Sequence, residues 1–140
     1  MAILNMVKCP EVGGDTMWSN MYLAYEQLST PLRELCEGLT ALHDATPHGK
    51  PESMTIHPVV RVHPVTRRKS LFVNEHLTRR IVQLSHEESD HLLAYLTRWP
   101  TSPRSTVRYP RPERTIAICG TRSTPPSVLH DFDQPRFIHP

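Results

Sequence analysis

Nine histidines and three cysteines carry most of the metal and nucleophile chemistry open to this sequence, and their spacing decides against much of it. His86-Glu87-Glu88 is the one H-x-E, and no H-x-D occurs. Glu88 stands in the S-x-x-E frame opened by Ser85, so its carboxylate is expected to cap a helix start rather than hold a metal. His57 and His63 flank a strand-like run; on a strand their spacing puts them on one face but about 20 Å apart, too far to share an ion. Cys9, Cys36 and Cys119 are widely spaced and form no C-x-x-C pair. That argues against a structural zinc site or a disulfide framework, and points to a reducing, cytoplasmic location. No base is identifiable beside Cys119, so it reads as a small buried side chain rather than a nucleophile.

The elements that must position these residues are short. Hydrophobic residues make up 38% and charged residues 21%, with 14 prolines, a composition that favours strands and loops over a helical array. Ala2 to Lys8 reads as a strand beginning almost at Met1, followed by a turn at Gly13-Gly14-Asp15. Asp15 is placed to cap a helix with Met17, Met21, Ala24, Tyr25 and Leu28 at helical spacing. Thr30 before Pro31 marks a second helix start, with Leu32, Leu35, Leu39 and Leu42 on one face.

Residues 45 to 55 read as an exposed loop. Ile56 to Val62 and Ser70 to Val73 read as strands joined by a turn over Pro64 to Arg68. Ser85 and Glu88 open a helix carrying Leu92, Leu93 and Leu96 and stopped by Pro100. Ser105 to Tyr109, Arg114 to Cys119 and a run beginning near Arg136 read as further strands. Short strands with helices set between them predict an α+β fold in one domain spanning residues 1–140.

Charge narrows the partners. A net charge of +2 is spread over 16 basic and 14 acidic residues, and Arg67-Arg68-Lys69 is the one run of three bases. That is no phosphate-facing footprint, so nucleic acid is not expected as a partner. No segment has the length of a membrane span, and Met1 to Lys8 is too short and too polar for a secretory signal.

Several stretches in fixed order resemble the taurine dioxygenase (TauD/TfdA) family of Fe(II)/2-oxoglutarate-dependent dioxygenases. They are Gly13-Gly14-Asp15-Thr16-Met17-Trp18, Ala24-Tyr25-Glu26, Gly38 to Asp44, His57 to Pro64, Leu71-Phe72-Val73-Asn74 and Thr78-Arg79-Arg80-Ile81-Val82. The resemblance implies a double-stranded β-helix, a jelly roll with flanking helices, here incomplete because its early strands are missing. It also implies Fe(II) and 2-oxoglutarate as cofactors, with a small organic substrate hydroxylated and succinate and CO₂ released. The family holds its iron on an H-x-D pair and a distal histidine. The H-x-D would lie upstream of Met1, and the distal histidine position, in the stretch Cys119 to Pro126, is Pro126. Arg122 and Thr124 keep the family pattern there.

Proline offers a metal no lone pair, so this chain is expected to bind neither Fe(II) nor 2-oxoglutarate and to be inactive. His130, four residues further on, is about 13 Å away along a strand and cannot replace the ligand; it reads as an exposed loop residue beside Asp131. By position, Thr16 and Arg136 match the residues that grip 2-oxoglutarate, a hydroxyl and a guanidinium on one carboxylate. They are read as inherited co-substrate positions. The substrate-gripping arginine of taurine dioxygenase falls on Pro140, so sulfonate recognition has no support. A second reading is a non-catalytic remnant that associates with a paralogue, another partner or itself through an exposed sheet edge.

Overall fold

A computed structural model describes residues 2–110, 112–120 and 123–139. The chain divides into two compact units, Met1–Asn20 with Pro103–Pro140, and Met21–Ser102.

The first unit is built of strands: β1 (Ala2–Lys8), β2 (Thr16–Ser19), and, after the second unit, four that are numbered in chain order below. The second unit holds α1 (Met21–Glu26), α2 (Thr30–Glu37), β3 (Thr40–Ala45), β4 (Lys50–Pro58), β5 (Val60–Val62), β6 (Lys69–Leu71), β7 (Thr78–Ile81) and α3 (His86–Arg98). The chain returns to the first unit with β8 (Thr106–Tyr109), β9 (Ile116–Cys119), β10 (Pro126–Val128) and β11 (Phe137–His139). The α+β content is as expected.

In the first unit two antiparallel three-stranded sheets form, ordered β11-β1-β9 and β10-β2-β8. The period of two along β1 and β9 sorts their residues. Met6 is fully buried and Cys119 nearly so, whereas Ile3 lies opposite Ile118 with both exposed. In the second unit β4-β3-β7 forms one sheet and the β5-β6 hairpin another. A single apolar cluster runs from Met21, Ala24 and Tyr25 of α1 through Val59, Leu71 and Ile81 to Leu93 and Leu96 of α3. Polar anchors fix the helices to it: Trp99 Nε1 donates to Ala24 O at 2.8 Å, and Ile81 N donates to Ser89 Oγ at 2.8 Å.

Three readings of the sequence need correction. The helix expected from Asp15 begins only at Met21, because Thr16–Ser19 is the central strand of its sheet, paired on both sides. Its apolar residues Met17 and Met21 lie at helical spacing on two different elements. The second helix ends at Glu37, where Gly38 N–H closes on Leu35 O, and Leu42 belongs to β3 instead of the helix face. The loop expected over residues 45 to 55 is a 3₁₀ turn, Thr46–His48, leading into β4; it is exposed, as expected, but its strand pairs with β3. The two strands expected over Ser105 to Cys119 both form, as Thr106–Tyr109 and Ile116–Cys119, and they lie in different sheets. The Ser85 capping box forms as read, with Glu88 N–H donating to Ser85 Oγ and Ser85 N–H to Glu88 Oε2.

Candidate dicarboxylate site

The turn expected at Gly13-Gly14-Asp15 is made possible by two left-handed glycines, φ +80° at Gly13 and +68° at Gly14. A Cβ on Gly13 would lie 2.3 Å from the Asp131 carbonyl oxygen, which only glycine avoids. A Cβ on Gly14 would press on Pro10, Phe132 and the Arg136 Cδ at 3.0–3.2 Å, so the missing side chain makes room for the arginine stem.

The turn delivers the chain into β2, whose first residue is Thr16. Its side chain is buried, 2% exposed. Arg136, just before β11, reaches it across 120 residues of sequence: Nη2 donates to Thr16 Oγ1 at 3.2 Å, and Nε donates to Gly14 O at 2.8 Å. The two side chains matched to the co-substrate positions thus lie against each other in the first unit. Because Thr16 Oγ1 accepts from the guanidinium, its own proton is left to be donated. A hydroxyl and a guanidinium side by side form the donor set that a carboxylate takes.

Register places the distal histidine position beside this pair. Pro126 lies opposite Trp18, and Val128 opposite Thr16. Residues paired across an antiparallel sheet, and residues two apart, share a face. Thr16, Trp18, Pro126 and Val128 are therefore on one face, with Pro126 about 7 Å along the strand from the partner of Thr16. Proline at the first residue of a strand is sterically tolerated, and it supplies no metal ligand.

The opposite face carries charge. Arg108 of β8, opposite Met17, donates from Nε to Asp15 Oδ2 at 2.5 Å and from Nη2 to Asp131 Oδ2 at 2.9 Å. Asp131 Oδ1 accepts from Gly14 N–H at 2.8 Å. That backbone hydrogen bond, with Arg108 beside it, holds the Asp131 carboxyl below its usual range.

The remaining histidines are dispersed. His130 is exposed and stacks on Phe132, ring centroids 6.2 Å apart. His86 is exposed at the start of α3. His57 and His63 go to different neighbours, His63 to Tyr22 and His57 to His43, whose ring centroid is 5.4 Å away. The His43–His57 pair is not legible from spacing, because it is made by the β3–β4 pairing; Phe72 completes it at 5.5 and 5.3 Å. Burial pushes the pKa of His43 down, with His57 and Arg61 adding to it. Among the described residues no three His, Cys, Asp or Glu side chains converge as metal ligands. Cys119 is buried, as read, while Arg122 and Pro140 lie outside the described residues.

The model of the taurine catabolism dioxygenase TauD, TfdA family matches residues 1–122. An alpha-ketoglutarate-dependent sulfate ester dioxygenase of Pseudomonas putida is 35% identical over 98% of this chain and 52% of its own length. A crystal structure of a taurine dioxygenase from Burkholderia xenovorans superposes with a TM-score of 0.87 at 38% identity, over 97% of this chain and 50% of that one. The structure of AAD-2 in complex with Mn(II) and N-oxalylglycine superposes at 0.85 and 25% identity, over 98% of this chain and 60% of that one. The chain spans between about a third and a half of the length of the curated relatives that match nearly all of it. It belongs to the TauD/TfdA family of taurine catabolism dioxygenases.

Proposed function

We propose that this chain carries the co-substrate half of an Fe(II)/2-oxoglutarate dioxygenase site, within a partial jelly-roll domain over residues 1–140. The sequence led to the expectation that no co-substrate is bound; the Thr16–Arg136 contact favours the opposite reading, in which these two side chains take a carboxylate of 2-oxoglutarate. The observation that carries this reading is the 3.2 Å contact between two side chains 120 residues apart, one of them buried. The two three-stranded antiparallel sheets of the first unit support the fold assignment.

The iron does not fit the residues present. A mononuclear ferrous site of this type needs two nitrogens and a carboxylate converging on one point. Here the distal position is Pro126, and no H-x-D occurs in the sequence. No reaction step can be routed through a metal held on these side chains, so this chain by itself turns over no 2-oxoglutarate. In the whole enzyme, the reaction would hydroxylate a small organic molecule and release succinate and CO₂. We place the chain in a reducing, cytoplasmic compartment on the wide spacing of Cys9, Cys36 and Cys119 and the lack of a C-x-x-C pair in the sequence.

The test is titration of 2-oxoglutarate into the purified chain and its Thr16→Val and Arg136→Ala variants. A charge-assisted hydrogen bond contributes about 1.5–3 kcal/mol, so Arg136→Ala should weaken binding at least about tenfold. Equal affinity in all three proteins would refute the assignment.

One observation favours the second reading, a non-catalytic associating chain. Ile3, Ile116 and Ile118 are 48, 62 and 68% exposed on one face of the β11-β1-β9 sheet, an apolar surface of the sort that proteins cover. A monodisperse monomer in light scattering at high concentration, with nothing retained by it, would remove self-association and the paralogue alike.

A further inference from the structure

The Asp131 carboxylate does something that neither the co-substrate grip nor the charge of the surface requires. Its two oxygens are divided between two elements: Oδ1 accepts from the Gly14 peptide at 2.8 Å, and Oδ2 accepts from Arg108 on β8 at 2.9 Å. Arg108 is fixed in turn by Asp15, immediately after the same turn. As an ion pair the contact is half exposed, 53% at Arg108 and 43% at Asp131, and such pairs add little to stability. What the arrangement provides is an orientation.

Gly14 is the hinge of that orientation. Its N–H points to Asp131, while its carbonyl receives Arg136 Nε at 2.8 Å. Arginine has a long side chain with many rotamers, and the hydrogen bond from Nε to the Gly14 carbonyl narrows the directions in which its planar head can face. The Gly14 carbonyl can tie it because the flanking peptide is held by Asp131 and because Gly13, at φ +80°, passes under the Asp131 carbonyl with no room for a side chain. Gly14 is buried, so removing Asp131 would leave its N–H without this acceptor and its peptide free to turn.

We infer that Asp131, braced by Arg108, is a positioning residue that aims Arg136 at the co-substrate carboxylate through the Gly14 peptide. The inference rests on the reading of Thr16 and Arg136 given above. It makes the loop before β11 part of the co-substrate site although Asp131 touches no co-substrate.

The experiment is NMR of the arginine Nε–H groups in the full chain, with Arg79 as internal reference because its Nε–H donates to Asp44 Oδ1 at 2.7 Å in the second unit. In the wild-type chain the Arg136 Nε–H should exchange slowly with solvent. Asp131→Ala should speed that exchange at least about tenfold, the loss of one charge-assisted hydrogen bond, and leave Arg79 unchanged. Asp131→Asn keeps an oxygen for Gly14 N–H and should restore most of the protection. Arg108→Gln should loosen Arg136 to a smaller degree, and it decides the matter if Asp131→Ala does not fold. Fast Arg136 exchange in the wild type, or wild-type exchange in folded Asp131→Ala or in Arg108→Gln, would overturn the inference. Adding 2-oxoglutarate separates it from the underlying reading. No binding to the wild-type chain sinks the co-substrate assignment, whereas unchanged affinity in folded Asp131→Ala sinks the positioning role alone.

Discussion

Gly13→Ala and Gly49→Ala make the same chemical change at nearly the same backbone angle, φ +80° and +71°, in opposite surroundings. At Gly49 an added Cβ meets nothing within 4 Å, so the cost is the left-handed conformation alone. That is about 1–2 kcal/mol, reduced by roughly 0.4–1 kcal/mol because alanine stiffens the unfolded chain. At Gly13 the same methyl would lie 2.3 Å from the Asp131 carbonyl oxygen and 2.9 Å from its carbon. Those are backbone atoms, so no rotamer change relieves the overlap, and the loop before β11 or the turn itself must shift. Breaking the Gly14–Asp131 bond in the process adds about 1–3 kcal/mol. Gly13→Ala should therefore cost its unit at least about 2 kcal/mol more than Gly49→Ala costs the other, and it should weaken 2-oxoglutarate binding. Trp18 lies in the first unit and Trp99 in the second, so urea unfolding followed by ¹⁹F NMR of fluorotryptophan reads each separately. A Trp18 midpoint in Gly13→Ala equal to wild type would refute the steric argument and, with it, the rigid turn on which Arg136 depends.

Two other outcomes follow from the structure. The pKa of His43 and that of His57 lie below the usual 6.5, both chiefly through burial, so the unfolded chain binds more protons once the pH falls below about that value. Stability of the second unit, read at Trp99, should fall from pH 7 toward pH 5 and level off below the folded-state pKa values; His43→Asn should flatten this slope, and an unchanged slope would count against the pair. Pro126→His should produce no Fe(II)-dependent succinate from 2-oxoglutarate, because one imidazole leaves two ligand positions unfilled; succinate made by that variant would contradict the ligand count.

What could be read in advance follows the range of the interactions. The capping box of Ser85 and Glu88 and the Gly13-Gly14 turn are local, and both form where their residues stand. Thr16–Ser19 was hidden because strand pairing with β8 and β10 overrides a helical spacing that Met17 and Met21 share by coincidence. Leu42 likewise extends the leucine spacing of α2 past Gly38, where the helix has already ended. The co-substrate pair was named only through the family resemblance, since no periodicity links Thr16 with Arg136. The Arg108–Asp131–Gly14 bracing and the His43–His57 contact had no signal in a single sequence. Each joins residues brought together only by sheet register or by the return of a loop.

The proposed carboxylate grip of Thr16 and Arg136 uses no metal ligand. Calorimetry of 2-oxoglutarate with the purified chain, once anaerobically with Fe(II) and once with a chelator, tests this most directly. The expected result is binding of equal affinity in both, lost in Arg136→Ala. Binding that appears only with Fe(II), or no binding in either condition, would contradict it.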